Sequence, residues 1–350
     1  MRNVALSVLF FALLPGMVEA QRSRLSILPD SVYKCEDGSR RGTESWFFLL
    51  VVSSIGDADK VMPVEATSRM YRGAMLVETR AFSKDVLPYL AQKNLAITDE
   101  TRPEELVNRY GRDELFDVVL TFDAIPIAWA IDRVEVTLVC EHADGLRDTL
   151  QRSVPVRTYA QRSELIFPFK GPGIISQGSI NNGGHSGITN QYAIDALALS
   201  ALYAPMVTPG DSSGSYTAWG HDVIAPGAGV VTYARNDVPD NVPDTDPSAT
   251  TALQHDPLDA TAGNAVMIDH GNGEYSVVMH MQQGSVRVRV GQRVAQGEPI
   301  GRIGNSGNSE QPHLHYQLQT GPTLFRDPSV PVRFSNVRGS LVRGNYFNAK

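Results

Sequence analysis

Two cysteines in 350 residues are too few for a disulfide-dense scaffold or a zinc site built from four thiolates. Basic charge is also scarce: 31 Lys and Arg against 38 Asp and Glu give a formal charge of −7. The clustered cations that recognise nucleic acid or anionic lipid are therefore missing. Membrane-length apolar runs are missing as well. Residues 4–14, interrupted only by Ser7, follow Met1-Arg2-Asn3 and stop at Pro15-Gly16, too short to cross a hydrocarbon core of roughly 30 Å as a helix. With Val18-Glu19-Ala20 behind it as a small-x-small site and no cysteine nearby, this run reads as a signal peptide over residues 1–20. The expectation is export without stable membrane insertion afterwards. What remains is 42% hydrophobic over the whole chain and long enough for about two folded domains.

An oxidising destination lets Cys35 and Cys140 bridge, and closing a loop of about 100 residues would stabilise by roughly 4–5 kcal/mol in the chain-entropy model. A disulfide is the expectation. From Ser45 to about Val156 the signals are mostly strands: 46–52 as a core strand, 118–122, an alternating 134–140, a turn at Asp144-Gly145, and a return over 150–156. Two minor helices are expected at 83–92 and 101–110, the second opened by Thr101 and Glu104 at capping-box spacing with Pro103 in the first turn. Residues 21–165 thus read as a β-sandwich-like accessory domain. No catalytic cluster stands out in it, which favours packing or docking.

At Pro168 to Gly173 the composition shifts to Gly, Pro and polar residues, and a second domain over 166–335 is expected, with 336–350 as a C-terminal tail. Its strands are clearest at 229–233, 266–269 and 275–281. Residues 236–263 lack periodicity and read as a long surface loop. Asp237, Asp240, Asp244, Asp246, Asp256 and Asp259 in that loop have no EF-hand spacing and read as solvated charges rather than calcium ligands. The expected class for the whole chain is all-β.

Seven of the eight histidines, His185, His221, His255, His270, His280, His313 and His315, fall in the C-terminal half. In Pro312-His313-Leu314-His315-Tyr316-Gln317-Leu318 alternation implies a strand, so both imidazoles share one face while Leu314 and Tyr316 take the other. Two imidazoles converging on a point are how a zinc site begins. Tyr192-Ala193-Ile194-Asp195 ends an apolar strand on a carboxylate. Buried there, Asp195 needs a cation or hydrogen-bond donors; capping the segment that follows is the alternative. His280 closes the strand that begins at Tyr275.

In this order, His185, Tyr192-Ala193-Ile194-Asp195, Val223 to Val231, Gly263-Asn264 to Gly273, Met279-His280-Met281, Gly291 to Gly301, and Gly304-Asn305-Ser306-Gly307 to His315, the chain resembles the lysostaphin/LytM-type zinc endopeptidases, the M23 peptidases, over about 178–322. The resemblance implies an antiparallel β-sheet peptidase domain with a substrate groove. It implies one zinc ion per chain held by His185, Asp195 and His315, with His280 and His313 as catalytic histidines that do not bind metal. It further implies peptidoglycan as substrate, cut at a peptide cross-link. Nine residues separate His185 from Asp195, a longer gap than in the best-known members. Three protein ligands leave a tetrahedral zinc one open position for water, the mark of a catalytic site. No His-Glu-x-x-His occurs, so the base and oxyanion roles fall to His280 and His313, in an order left open.

Gly210-Asp211-Ser212-Ser213-Gly214 matches the serine-hydrolase pattern without the strand before it or the helix after it, and reads as a loop at the groove's rim. His270 sits in a turn, where a structural hydrogen bond is the default. The rival class is a metal-free relative that binds peptidoglycan or activates another hydrolase; five filled positions favour the enzyme. Autoinhibition by the N-terminal domain stays open. The acidic chain carries no basic tail for wall anchoring, and a periplasmic or extracellular location is expected.

Overall fold

A computed structural model of the chain describes residues 22–36, 42–54, 61–87, 115–178, 185, 189–207, 212–247, 260–339 and 341–350. The expected signal peptide, the expected helix at 101–110, most of the one at 83–92 and His255 lie outside the described residues.

The N-terminal half contains β1 (Ser23–Leu28), β2 (Val32–Tyr33), β3 (Cys35–Glu36), β4 (Thr43–Ser54), β5 (Val61–Arg72), β6 (Met75–Ser83), β7 (Leu115–Pro126), β8 (Arg133–His142) and β9 (Arg147–Arg157). The C-terminal half contains β10 (Gly171–Gln177), β11 (Ile194–Ala198), β12 (Asp222–Ile224), β13 (Gly229–Ala234), β14 (Asn264–Asp269), β15 (Tyr275–Met281), β16 (Arg293–Val294), β17 (Pro299–Arg302), β18 (Leu314–Gln319), β19 (Ser329–Val330) and β20 (Tyr346–Ala349). The protein is all-β, and its strand neighbours are antiparallel apart from β2 and β9.

In the first half, β4 pairs with β1 and β3 on one edge and β7 on the other, and a second sheet runs β2-β9-β8-β5-β6. The two sheets face each other. In β8 every second residue, Val134, Val136, Leu138 and Cys140, enters the shared core, the period-two pattern of a half-buried strand. β4 differs, because its run Trp46-Phe47-Phe48-Leu49-Leu50-Val51-Val52 is apolar at every position. A continuous run fits a strand buried on both faces. Trp46, Phe48, Leu50 and Val52 enter the sandwich core, while Phe47, Leu49 and Val51 turn away from it and pack with Tyr192 of the C-terminal half.

The expected disulfide does not form: Cys35 and Cys140 remain thiols. Cys35 sits on β3 opposite Ser45 of one sheet, and Cys140 lies on β8 of the other, opposite Pro63 and Asp148. The two pack into different clusters, Cys140 in the sandwich core and Cys35 against the Phe47 group. Burial, with Asp148 adding to it, pushes the Cys140 thiol up to about 12, so it is an inert core residue.

In the second half one sheet runs β16-β13-β14-β15-β18-β11-β10-β20, with β19 on β18, beside the small pair β12-β17. Residues 346–349 of the expected tail are its edge strand, paired with β10. The core beneath is aromatic: Phe167 touches Phe169, Phe334 and Phe347 at ring-centroid distances of 4.9, 5.0 and 4.5 Å. Each such side chain taken out of water contributes about 1.5–3 kcal/mol. Leu314, Tyr316 and Leu318 of β18 join this core, which sends His315, Gln317 and Gln319 to the opposite face.

Residues 158–170 connect the halves and are strapped down by a buried carboxylate. Glu274, between β14 and β15, accepts hydrogen bonds from Tyr159 Oη at 2.6 Å, Arg162 N at 2.8 Å and Ser163 N at 2.7 Å. At the other contact, Tyr192 Oη donates to Tyr33 O at 2.6 Å and accepts from Tyr33 N at 3.0 Å.

Candidate metal centre

Three adjacent strands, β15, β18 and β11, carry the site. Asp195 lies directly opposite His315 in the β11–β18 ladder, so the carboxylate and the imidazole share one face of the sheet. Asp195 is the second residue of β11 rather than the end of a strand, and Tyr192 and Ala193 lie in the turn before it. Nor does it cap a helix, since 196–198 continue the strand. His315 Nδ1 stands 2.9 Å from Asp195 Oδ1, and His185 Nε2 stands 3.5 Å from Asp195 Oδ2. His185, Asp195 and His315 each offer a ligand atom, all within 4.8 Å of one another, so this trio could hold a metal ion despite the nine-residue gap. His313, just ahead of β18, brings Nε2 to 3.6 Å from Asp195 Oδ1.

His280 arrives by a different route. Asn264 pairs with Met281 and Val266 with Val278, so Ala265 faces two residues, Met279 and His280. This is a β-bulge. His280 has φ +58, a left-handed conformation that only a few per cent of non-glycine residues adopt. Strict alternation would send its ring to the face opposite Met279. Instead the ring lies 4.9 Å from that of His313 and 5.6 Å from that of His315, centroid to centroid. Two backbone bonds hold the bulge, His280 N to Ala262 O and Gly304 N to His280 O, at 3.0 and 3.1 Å.

Backbone carbonyls only accept hydrogen bonds, so they decide where two imidazoles carry a proton. His280 Nδ1 donates to Ser306 O at 2.9 Å and His313 Nδ1 donates to Gln311 O at 2.8 Å. Each ring keeps Nε2 for chemistry. Burial foremost, with His313 and His315 as neighbours, holds His280 well below the usual histidine range, which favours the neutral ring. Burial also lowers His315, against the opposing pull of Asp195. Burial by itself raises Asp195, but the neighbouring His313 and His185, with the side-chain contacts to His185 and His315, outweigh it and hold the carboxyl well below its usual range.

Behind His280 lies a polar scaffold that motif reasoning did not assign. Ser306 Oγ donates to Met281 O at 2.7 Å and accepts from Asn264 N at 2.9 Å, while Asp240 accepts from Asn305 N at 2.7 Å and Gln283 N at 2.9 Å. Asp240 is thus a structural acceptor rather than a solvated charge. Asp244 is exposed, as expected, and also accepts hydrogen bonds from Tyr216 Oη at 3.1 Å and Gln311 Nε2 at 2.6 Å. Gly263 (φ +62) and Gly307 (φ +78) allow the Ser306 loop to lie flat on this backbone, since a Cβ on Gly263 would collide with Ser306 O and one on Gly307 with Gly263 N.

His270 and His221 stay outside. His270 bonds to Ala228 O at 2.9 Å and Ser276 Oγ at 2.7 Å, as its turn position implies, and His221 sits edge-on to Phe169 at 5.4 Å. Ser213–Ser215 form a single 3-10 turn, and residues 216–220 after it are not the helix of a nucleophile elbow.

Residues 215–326 match the family model Peptidase_M23, peptidase family M23. This segment is similar to that family. The M23 match contains His280, His313 and His315, while His185 and Asp195 precede it and join through the sheet. Similar curated proteins include the cell division protein DipM of Caulobacter vibrioides, 29% identical over 113 residues, which are 32% of this chain and 15% of that protein. Another is the peptidoglycan DD-endopeptidase ShyA of Vibrio cholerae, 44% identical over 57 residues, 16% of this chain and 13% of that protein. The matches therefore span a small part of either relative's length. Among solved structures, the catalytic domain of lysostaphin from Staphylococcus simulans is 19% identical, covers 46% of this chain and 88% of its own, and has a TM-score of 0.26.

Proposed function

We propose that the chain is an exported, zinc-dependent metallo-endopeptidase that hydrolyses peptide cross-links of bacterial peptidoglycan, working in the periplasm or outside the cell. One observation carries the reading: His185, Asp195 and His315 come within 4.8 Å of one another with His280 and His313 beside them. Two imidazoles and a carboxylate suit zinc and leave it an open position. The buried Nδ1 of His185 has no hydrogen-bond partner among the described residues, so that ring is not committed to another network. The relatives' names supply the substrate class. Residues 21–165 are proposed as an accessory domain and 166–335 as the peptidase domain.

His185, Asp195 and His315 would hold the zinc, which when bound lowers the pKa of a water towards about 7 and polarises a peptide carbonyl. His280, neutral and bonded through Nδ1 to Ser306 O, takes the proton of the attacking water at Nε2. His313, anchored through Nδ1 to Gln311 O, turns Nε2 to the substrate, where as the imidazolium it would donate to the scissile carbonyl oxygen or the leaving amine.

Zinc content and muropeptide release from cross-linked peptidoglycan test this in the full chain, His315→Ala and His280→Ala. His315→Ala is expected to lose metal and activity together, and His280→Ala to keep metal and lose at least a hundredfold in turnover. Wild type with neither stoichiometric zinc nor muropeptide release would make the chain a non-catalytic binding module.

A further inference from the structure

β18 has a polar face that motif reasoning passes over. Gln317 and Gln319 follow His315 at period two, and both are fully buried. Their amides form a chain that ends on His315. Gln319 Nε2 donates to Gly321 O at 2.7 Å and Thr323 O at 3.2 Å. Both acceptors are backbone carbonyls, so the amide nitrogen must face them and Gln319 Oε1 must face the other way. There it accepts from Gln317 Nε2 at 2.8 Å, which also donates to Thr189 O at 3.4 Å. Gln317 Oε1 is thereby turned towards His315 and stands 3.3 Å from its Nε2.

A carbonyl oxygen next to a ring nitrogen requires that nitrogen to carry the proton. The order runs one way from Gly321 O to the imidazole, and reversing either amide would oppose two acceptors. His315 Nδ1 then keeps its lone pair. That lone pair faces Asp195 Oδ1 at 2.9 Å, another acceptor, so the pair of atoms is satisfied by a shared cation.

We propose that Gln317, oriented by Gln319, is a positioning residue that fixes His315 in its Nε2–H tautomer and so makes Nδ1 a metal-ligating atom. The inference rests on the zinc reading and adds the groups that set the polarity of the ligand. Such outer partners typically change metal affinity by about 10–100-fold.

The experiment uses the metal-stripped full chain titrated with zinc sulfate against a chromogenic chelator. Gln317→Leu, which removes the acceptor, is expected to weaken zinc binding about 10–100-fold, while Gln317→Glu, which keeps an oxygen towards Nε2, binds within several-fold of wild type. In parallel, two-bond proton–nitrogen correlations of zinc-loaded wild type, assigned by their loss in His315→Gln, should place the proton of His315 on Nε2. A folded Gln317→Leu that binds zinc as tightly as wild type overturns the proposal and leaves the zinc reading intact. If Gln317→Leu does not fold, the nitrogen spectrum decides, and a proton on Nδ1 overturns it. Wild type that takes up no zinc overturns the metal reading and this proposal with it.

Discussion

At the scale of single residues, His280 joins two demands that ordinarily conflict: a neutral buried imidazole and a left-handed backbone. The conformation costs on the order of 1–3 kcal/mol and persists only where surrounding contacts over-determine it. Asn tolerates that backbone far better than a β-branched side chain. His280→Asn is therefore expected to unfold in urea about 1–2 kcal/mol less readily than His280→Val, with turnover lost in both; equal midpoints would show that the bulge relaxes at no cost. The five residues that the fold gathers here stood out in the sequence because their chemistry is unusual for strand positions and their order resembles a family pattern. The bulge was not, because it is set by Ala262, Gly304 and Ser306, residues distant in sequence. Gln317 and Gln319 left a fainter trace, two amides at period two behind His-x-His on a strand whose other face is Leu314, Tyr316 and Leu318.

At the scale of elements, the loop carrying Gly304-Asn305-Ser306-Gly307 is a template pressed against β14 and β15. Its fit depends on the absence of side chains at the points of closest approach. Gly307→Ala would meet Gly263 N and the Thr261 and Ala260 carbonyls at φ +78, and is expected to destabilise by more than about 1 kcal/mol while displacing Ser306 O from His280. Urea unfolding checks the first effect, and turnover at saturating zinc checks the second. Strand positions were readable where one face is buried, as in β8, since period two needs no partner to be recognised, and in β14 and β15 from apolar runs bounded by turn residues. The end of β11 occupied by Asp195 was misread because the apolar Tyr192 and Ala193 look like strand but form the turn that reaches towards β4. The disulfide expectation failed for a related reason: spacing along the chain does not reveal that Cys35 and Cys140 belong to different sheets.

At the scale of the whole molecule, the halves are joined by the Glu274 strap and by Tyr192. Burial by itself raises Glu274, but the hydrogen bonds from Tyr159, Arg162 N and Ser163 together outweigh it and hold the carboxyl below its ordinary 4.5. A depressed folded value means that the carboxylate's contribution is complete above about the ordinary value and is lost as pH falls through the folded one. Wild type is therefore expected to melt above Glu274→Gln at neutral pH, with the gap closing under acid conditions below about pH 4; a constant gap from pH 7 to pH 3 would remove the carboxylate from the linkage. The contact at Tyr192 was foreshadowed only by the uninterrupted apolar run of β4, which implies two covered faces without naming the cover.

That run bears on how such chains can be recombined. Phe47, Leu49 and Val51 form a socket cut for Tyr192, and Tyr192 stands three positions before Asp195. The front half is thus not a detachable cassette. Grafting an unrelated sandwich onto residues 166–350 would leave the aromatic ring without its seat and the nearby carboxylate without its brace, so lineages that shuffle these halves must exchange socket and tyrosine as a matched set.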